Sequence, residues 1–181
     1  EEMQKYVYTR LYPMIFFKRE YQHKVTYMHT HIAKLRKVVT PEYLELKPIY
    51  FESDTIASAS EELSTLDTFV TPLEKLICIF NACKIIIFVL QSGGSMVGAD
   101  DFLPMFIWVL LQSEQKLLNS NVEFISRYID PEERFGEQYC FFTHMVSAAT
   151  YLASLQPDTV NKWKKKKAQE KLDKENEDQE M

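Results

Sequence analysis

One long apolar segment, residues 73–90, constrains the fold of this chain more than any other feature. A Thr-Pro-Leu-Glu string introduces it, in which Thr71 can cap a helix, Pro72 suits the first helical turn and Glu74 can complete a capping box. Nearly every turn of the segment is apolar on all sides, which is typical of a helix surrounded by protein. Its longest uninterrupted apolar run, residues 85–90, is far shorter than the roughly 20 residues of a membrane span. We therefore predict a long, buried central helix.

The rest of the chain has a similar helical pattern. The 181 residues are 46% hydrophobic with only 4 glycines and 7 prolines, which is too apolar for disorder and too poor in turn residues for many short strands. Apolar residues recur at helical spacing along residues 3–15, where Pro13 should kink or break the helix, and again along residues 25–39. We predict an all-α, layered domain of about six to eight helices over residues 1–156.

Residues 157–181 differ from this body because they offer almost nothing apolar to bury. A lysine run at 164–167 follows Trp163, and acidic residues dominate after it, so we predict a charged tail that is a helical extension or disordered. The lysine run is a place where the protein could touch an anionic membrane, although such runs are more often simply solvated. The net charge of -5 disfavours nucleic-acid binding, which needs surplus Lys and Arg, and favours a protein partner.

No segment carries the pattern of a cofactor, metal or nucleophile site. Gly93, Gly94 and Gly98 form neither a Gly-x-Gly-x-x-Gly string nor a P-loop. The 3 cysteines lack Cys-x-x-Cys spacing, which fits a reduced, cytoplasmic compartment, and no carboxylate accompanies the histidines at metal-binding spacing. We expect no bound cofactor or metal and no covalent chemistry. The chain opens with Glu1 rather than an initiator methionine, so we also expect it to be part of a longer protein.

A second helix start carries two adjacent carboxylates. The string Ala-Asp-Asp-Phe-Leu-Pro occupies residues 99–104 and precedes an apolar helix at 105–111. An aspartate can cap a helix by accepting backbone N–H groups, and Pro104 is expected in the first turn, where its ring displaces no helical hydrogen bond. In most proteins an aspartate at such a place is only a cap, worth about 1 kcal/mol.

This string is one of several blocks that together resemble the domain named for vacuolar protein sorting protein nine. The blocks are Tyr-Thr-Arg-Leu-Tyr at 8–12, Val-Thr-Pro at 39–41, Ala-Asp-Asp-Phe-Leu-Pro at 99–104, Ser-Asn-Val-Glu-Phe-Ile at 120–125, Gly-Glu at 136–137 and Thr143. The similarity covers roughly residues 3–155. It implies an all-helical layered fold and guanine nucleotide exchange on Rab GTPases of the Rab-five class. It also implies a cytoplasmic protein that is recruited to early endosomes.

The resemblance assigns roles residue by residue. In the family the first aspartate of the pair is an acidic finger that enters the nucleotide site of the GTPase, and this role falls on Asp100. Asp101 is then the expected structural cap. The family proline and threonine that contact the GTPase match Pro104 and Thr143, although helix-start geometry and a hydroxyl bond to a nearby carbonyl would also explain these two residues. The carboxylate would pair with the P-loop lysine of the GTPase, repel the phosphates and discourage Mg²⁺.

The chain departs from the family at a tyrosine that contacts the GTPase. Counted without gaps between the Gly-Glu block and Thr143, the tyrosine position holds Cys140, whereas a shift of one residue would place Tyr139 there. We favour the ungapped register. The candidates for an apolar surface that grips the switch regions are Phe102, Met105 and Phe141.

Two other functions stay open from the sequence. One is a module that binds an active GTPase, as an effector or scaffold, without promoting exchange. A weaker alternative is a hydrolase that uses Asp100 and Asp101, but the chain shows no partnering base or metal ligand for it. In either GTPase-binding case we expect a monomer.

Overall fold

The computed structural model describes residues 2–16, 19–51, 54–92 and 98–180. These ranges contain nine α-helices, three short 3₁₀ turns at Pro41–Leu44, Thr65–Thr68 and Pro131–Phe135, and no strand. The α-helices are α1 (Glu2–Phe16), α2 (Arg19–Val38), α3 (Pro48–Phe51), α4 (Asp54–Ser64), α5 (Pro72–Ser92), α6 (Ala99–Gln112), α7 (Leu118–Tyr128), α8 (Glu137–Ser154) and α9 (Pro157–Glu180). The all-α class is confirmed, with nine helices, including the single-turn α3, where about six to eight were expected.

The central helix of the main core is α5. It begins as predicted, because Thr71 Oγ1 accepts the backbone N–H of Glu74 at 3.1 Å and Glu74 Oε2 accepts the N–H of Thr71 at 3.4 Å. Its buried side chains pack against α4, α6, α7 and α8. One outer strip remains in solvent, where Phe88 is 64% exposed. Residues 93–97, which include Gly93 and Gly94, lie outside the described part of the chain.

Helix α1 packs through a different face from the predicted one. Its aliphatic stripe is exposed, with Met14 at 72%, whereas Tyr12 and Phe16 are buried against Phe124 of α7. Aromatic rings spaced four residues apart share one face of a helix and bury more area than the aliphatic stripe, so they decide the orientation. Pro13 lies on the exposed side and does not break the helix, which continues to Phe16.

The charged tail is helical as far as the structure describes it. Helix α9 attaches near its start, where Val160 is fully buried and the Trp163 ring meets the edge of Tyr43 at 5.2 Å between centroids. Its later turns carry polar side chains and local ion pairs such as Lys167–Glu170 at 3.0 Å. Within the described ranges, no helix is long and apolar enough to cross a membrane.

Candidate functional site

The two aspartates lie in the first turn of α6, and neither is its N-cap. Gly98 occupies the cap position, and its carbonyl accepts the N–H groups of Asp101 and Phe102, each at 3.2 Å. The expectation that Asp101 caps the helix is therefore wrong, because the backbone at Gly98 starts the helix without a side-chain cap. Both carboxylates instead lie in the first turn of the helix, at the positive end of its dipole.

Asp100 is exposed, whereas Asp101 is half-buried. The carboxylate of Asp100 makes no hydrogen bond or ion pair with the described part of the chain. An exposed, ionised carboxylate without an internal partner can pair with a cation from another molecule at little structural cost. This is the property that an acidic finger requires.

Pro104 lies in the second turn of α6 and not in the first, because the helix already begins at Ala99. Proline has no N–H, so it cannot donate to the carbonyl of Asp100 four residues earlier, as other residues in a helix do. The helical turn that carries Asp100 therefore lacks one hydrogen bond of the regular ladder. Pro104 is half-buried, so part of its ring is open to a partner.

Aromatic side chains connect the start of α6 to α8. The Phe102 ring lies 5.9 Å from Phe141 and 5.0 Å from His144, and Phe141 also reaches Phe80 of α5 at 5.6 Å. Phe102 and Met105 are buried, so both support the surface from below. Phe141 is half-buried and remains partly open to a partner. The aspartates of α6 and the exposed face of α8 thus share one rigid base.

The exposed face of α8 carries Cys140 and Thr143. The Thr143 hydroxyl donates to the Cys140 carbonyl at 2.6 Å, which leaves its oxygen lone pairs able to accept a hydrogen bond. The Cys140 side chain is exposed, while the neighbouring Tyr139 ring packs at 5.5 Å on the buried Phe142. Cys140 is thus more exposed than Tyr139, and the ungapped register stays a prediction.

Two residues near this surface belong to no sequence motif that would have identified them as candidate site residues. His144 follows Thr143 and packs its ring against Phe102, so its imidazole lies at the junction of α6 and α8. Phe135, just before α8, is 94% exposed, which is unusual for a phenylalanine in a folded domain. Sequence spacing could not identify either residue, because each matters only through its position next to another element.

The Ser-Asn block of α7 has a structural role. Asn119, Ser120 and Asn121 are of residue types that often cap helices, but α7 begins before them, at Leu118. Asn121 is fully buried and its Nδ2 donates to Asp67 Oδ1 at 2.7 Å, which ties α7 to the turn after α4. A buried amide with a specific partner fixes the relative position of two elements.

Asp100 lines neither of the two cavities described next, and it belongs to no group of metal-binding side chains among the described residues. A cleft of about 250 Å³ lies between α1, the start of α5 and the turn at Pro131–Phe135, and a larger groove lies beside the second half of α6. Among the described residues, no three His, Cys, Asp or Glu side chains are grouped so that they could hold a metal ion. Neither cavity is lined by Asp100, Cys140 or Thr143, which are exposed on the surface.

The described part of the chain is thus an all-α domain with an exposed carboxylate beside a partly apolar helix face. A family model of the vacuolar sorting protein 9 (VPS9) domain matches residues 56–157, which is more than half of the chain. The chain belongs to the VPS9 domain family, and the expectation from its motifs is confirmed. The matched stretch contains Asp100, Pro104, Cys140 and Thr143.

Several relatives are similar over most of this chain. Vacuolar protein sorting-associated protein 9A of Arabidopsis thaliana is 28% identical over 165 residues, covering 88% of this chain and 32% of the relative. The human Rab5 GDP/GTP exchange factor is 29% identical over 174 residues, covering 89% of this chain and 34% of the relative. The chain thus spans about a third of the length of these relatives.

Proposed function

We propose that this domain is a guanine nucleotide exchange factor for a small GTPase of the Rab-five class. The observation that carries the proposal is the exposed, unpartnered carboxylate of Asp100 at the start of α6, in a chain of the VPS9 family. A relative similar over 89% of this chain is named as a Rab5 GDP/GTP exchange factor, which supports the choice of GTPase class.

Asp100 acts as an acidic finger in this proposal. A GTPase holds its nucleotide through a P-loop lysine and a Mg²⁺ ion that contacts the phosphates. The Asp100 carboxylate pairs with that lysine, and its charge repels the phosphates and weakens the Mg²⁺ site. Coupling between two binding events is reciprocal, so a protein that prefers the nucleotide-free GTPase lowers nucleotide affinity by the same free energy. The domain needs no covalent step.

The surface around Asp100 supplies the remaining contacts. Pro104, Phe141 and Thr143 offer partly or fully exposed groups beside it, and Cys140 occupies the position of the family tyrosine. Tyr139 contributes the exposed part of its ring, while Phe102 and Met105 act indirectly by supporting Phe141 and the first turns of α6. Cysteine is a poor hydrogen-bond donor, so the contact at Cys140 is weaker than a tyrosine contact.

A panel of Rab GTPases loaded with a fluorescent GDP analogue tests this function. Substoichiometric domain is expected to accelerate GDP release from a Rab-five-class GTPase and not from distant Rabs. An exchange factor also binds the nucleotide-free GTPase more tightly than the GTP form. Tight binding to the GTP form, with no acceleration for any panel member, would identify an effector or scaffold module instead.

We also propose that the lysine run of α9 helps to recruit a monomeric, cytoplasmic protein to early endosomes. Lys165 of the run and Lys162, which lies just before it, are exposed, and each basic residue near an anionic membrane contributes about 1 kcal/mol. Sedimentation with phosphatidylserine vesicles should show binding that is lost in the double variant Lys162→Glu/Lys165→Glu and retained in the control Lys116→Glu. Equal binding by all three proteins would exclude the lysine run.

A further inference from the structure

An open groove of about 770 Å³ lies beside the second half of α6, away from Asp100. The aromatic rings of Phe51 and Trp108 line it, with 6.5 Å between centroids and an interplanar angle of 65°. Ile56 and Ala57 of α4 add aliphatic surface. The groove therefore offers an apolar wall with two aromatic rings that are not closed over by the main core.

Three carboxylates surround this wall. Asp54, Glu61 and Glu114 line the groove, all three are exposed, and no described residue forms an ion pair with any of them. No Lys or Arg lines the groove. Carboxylates of one sign around a low-dielectric wall produce a negative potential that concentrates cations.

The two hydroxyl groups of the groove are already used within the protein. The Ser60 hydroxyl donates to the Val109 carbonyl at 3.3 Å, and the Ser64 hydroxyl donates to the Ser60 carbonyl at 2.7 Å. Ser64 Oγ also accepts the backbone N–H of Glu114 at 3.0 Å, which fixes the segment that carries this carboxylate. The groups left for a ligand are the two rings, the three carboxylates and the half-buried amide of Gln112.

We propose that this groove binds a short basic peptide segment of a partner protein, with Lys or Arg side chains on both sides of an aromatic or aliphatic residue. The apolar residue packs on the wall, and a cation over the face of Trp108 gains a cation–π interaction, which is strongest with tryptophan. The flanking cations pair with the carboxylates, so charge complementarity selects basic over acidic segments. Trp108 lies one helical turn beyond Pro104 on the same face of α6, so the bound segment adjoins the α6–α8 surface.

Peptide selection on the isolated protein tests the proposal without any GTPase. Random peptides displayed on phage are selected on the protein, and the consensus is expected to contain at least two Lys or Arg residues around an aromatic or aliphatic residue. The chain has 2 tryptophans, so Trp163→Phe leaves Trp108 as the only fluorescent indole. The synthetic consensus peptide should then shift the emission of Trp108, with an affinity that falls as salt rises.

Charge reversals locate the binding site. Glu61→Lys and Glu114→Lys should each weaken the consensus peptide about threefold, and the double variant about tenfold. Glu45→Lys makes the same charge change at an exposed site outside the groove and should have no effect. These three positions are exposed, so the variants are expected to fold, and a thermal melt verifies this.

Three results would overturn the proposal. The first is a selection that yields no peptide, or peptides that are neutral or acidic. The second is a basic peptide whose affinity is the same for the double variant and the Glu45→Lys control. The third is a dimer in sedimentation that Glu61→Lys dissociates, because a second copy would then fill the groove. Loss or retention of nucleotide exchange affects none of these readouts, so the two proposals fail independently.

Discussion

The main core and the aromatic cluster beneath α1 are built on different principles. The main core consists of aliphatic and aromatic side chains from α2 and α4–α8 that exclude water completely, such as Leu76 and Phe106. The cluster beneath α1 consists of Tyr12, Phe16 and Phe124, and the ammonium of Lys75 lies 5.4 Å and 5.0 Å from the first two ring centroids. Apolar packing therefore supports the start of α6 and α8, whereas a buried charge takes part in holding α1.

Lys75 is fully buried and belongs to both regions, because it lies on α5. Its Nζ donates to the Leu66 carbonyl at 2.8 Å. Burial lowers the pKa of Lys75 to about 8, while the nearby Asp67 acts in the opposite direction. At neutral pH the ammonium is charged, and the carbonyl and the two rings partly replace its hydration.

The largest effect on nucleotide exchange is expected from Asp100→Ala. This substitution distinguishes the role of the surface site from the stability of the core beneath it. Nucleotide exchange should fall a hundred- to thousandfold, about 3–4 kcal/mol in the barrier, because an electrostatic contact to the nucleotide site is lost. The free energy of unfolding should fall by no more than the about 0.3–1 kcal/mol of the helix dipole, since the exposed carboxylate has no partner in the described part of the chain. GDP-release kinetics and a thermal melt measure the two effects.

Asp101→Ala is the matched control for this prediction. It removes a half-buried carboxylate from the same helical turn and should cost about 0.3–1 kcal/mol of stability through the helix dipole, with exchange retained. An equal loss of exchange in both variants, or a loss of stability above about 1 kcal/mol for Asp100→Ala, would contradict the assignment of the finger to Asp100.

The second effect concerns the charge in the α1 cluster. Between about pH 8 and about pH 10.4 the unfolded chain keeps a proton on Lys75 that the folded protein has released, so folding is favoured as pH rises. The free energy of unfolding of the native protein should therefore rise relative to that of Lys75→Met, by about 3 kcal/mol at most. Urea titrations of both proteins across this range measure the difference.

The comparison with Lys75→Met is necessary because other buried groups lower the free energy of unfolding as pH rises, whereas Lys75 raises it. Burial raises the pKa of Cys78 to about 11 and also raises the pKa of Cys83, so the unfolded chain loses these protons first and stability falls as pH rises. Both proteins contain the two thiols, and the contribution of Cys83, which does not respond to Lys75, cancels in the difference. Lys75 lowers the pKa of Cys78, so the contribution of this thiol cancels only in part. A difference that stays constant from pH 7 to pH 10 would show that Lys75 is not the titrating group.

A smaller effect is expected at Cys140, on the exposed side of α8. Cys140→Tyr should raise exchange more than about tenfold, because an aromatic anchor in a desolvated contact contributes on the order of 2 kcal/mol. The melting temperature should not change, since the side chain already points into solvent. Tyr139→Ala, in contrast, should lower stability by about 1–2 kcal/mol through lost packing on Phe142. A strong loss of exchange in a stable Tyr139→Ala protein would favour the shifted register.

The smallest effect is expected on the outer face of α1. Met14→Lys should change the free energy of unfolding by less than about 0.5 kcal/mol, because the side chain is 72% exposed. Phe16→Ala on the opposite face should cost about 3–5 kcal/mol, as for other buried phenylalanines. Urea titration compares the two variants, and a loss above about 1 kcal/mol for Met14→Lys would show that this face is packed after all.

The sequence by itself determined the features that depend on neighbouring residues. The capping box of Thr71 and Glu74 involves positions three apart, so its hydrogen bonds could be predicted and are present at the start of α5. The helical periodicity and the scarcity of glycine predicted the all-α class for the same local reason. The Asp-Asp-Phe-Leu-Pro block and its companions pointed to the family, which the match to residues 56–157 confirms.

Only the tertiary structure decided which faces are buried, because that depends on residues far apart in the chain. Helix α1 turns its aromatic side inward because Phe124 of α7 and Lys75 of α5 lie there, and the aliphatic stripe of α1 carries no sign of this. Tyr139 turns inward because Phe142 provides a buried surface, which leaves Cys140 outside. Long-range packing selects among several locally acceptable faces, so sequence periodicity can identify a helix but cannot say what it will touch.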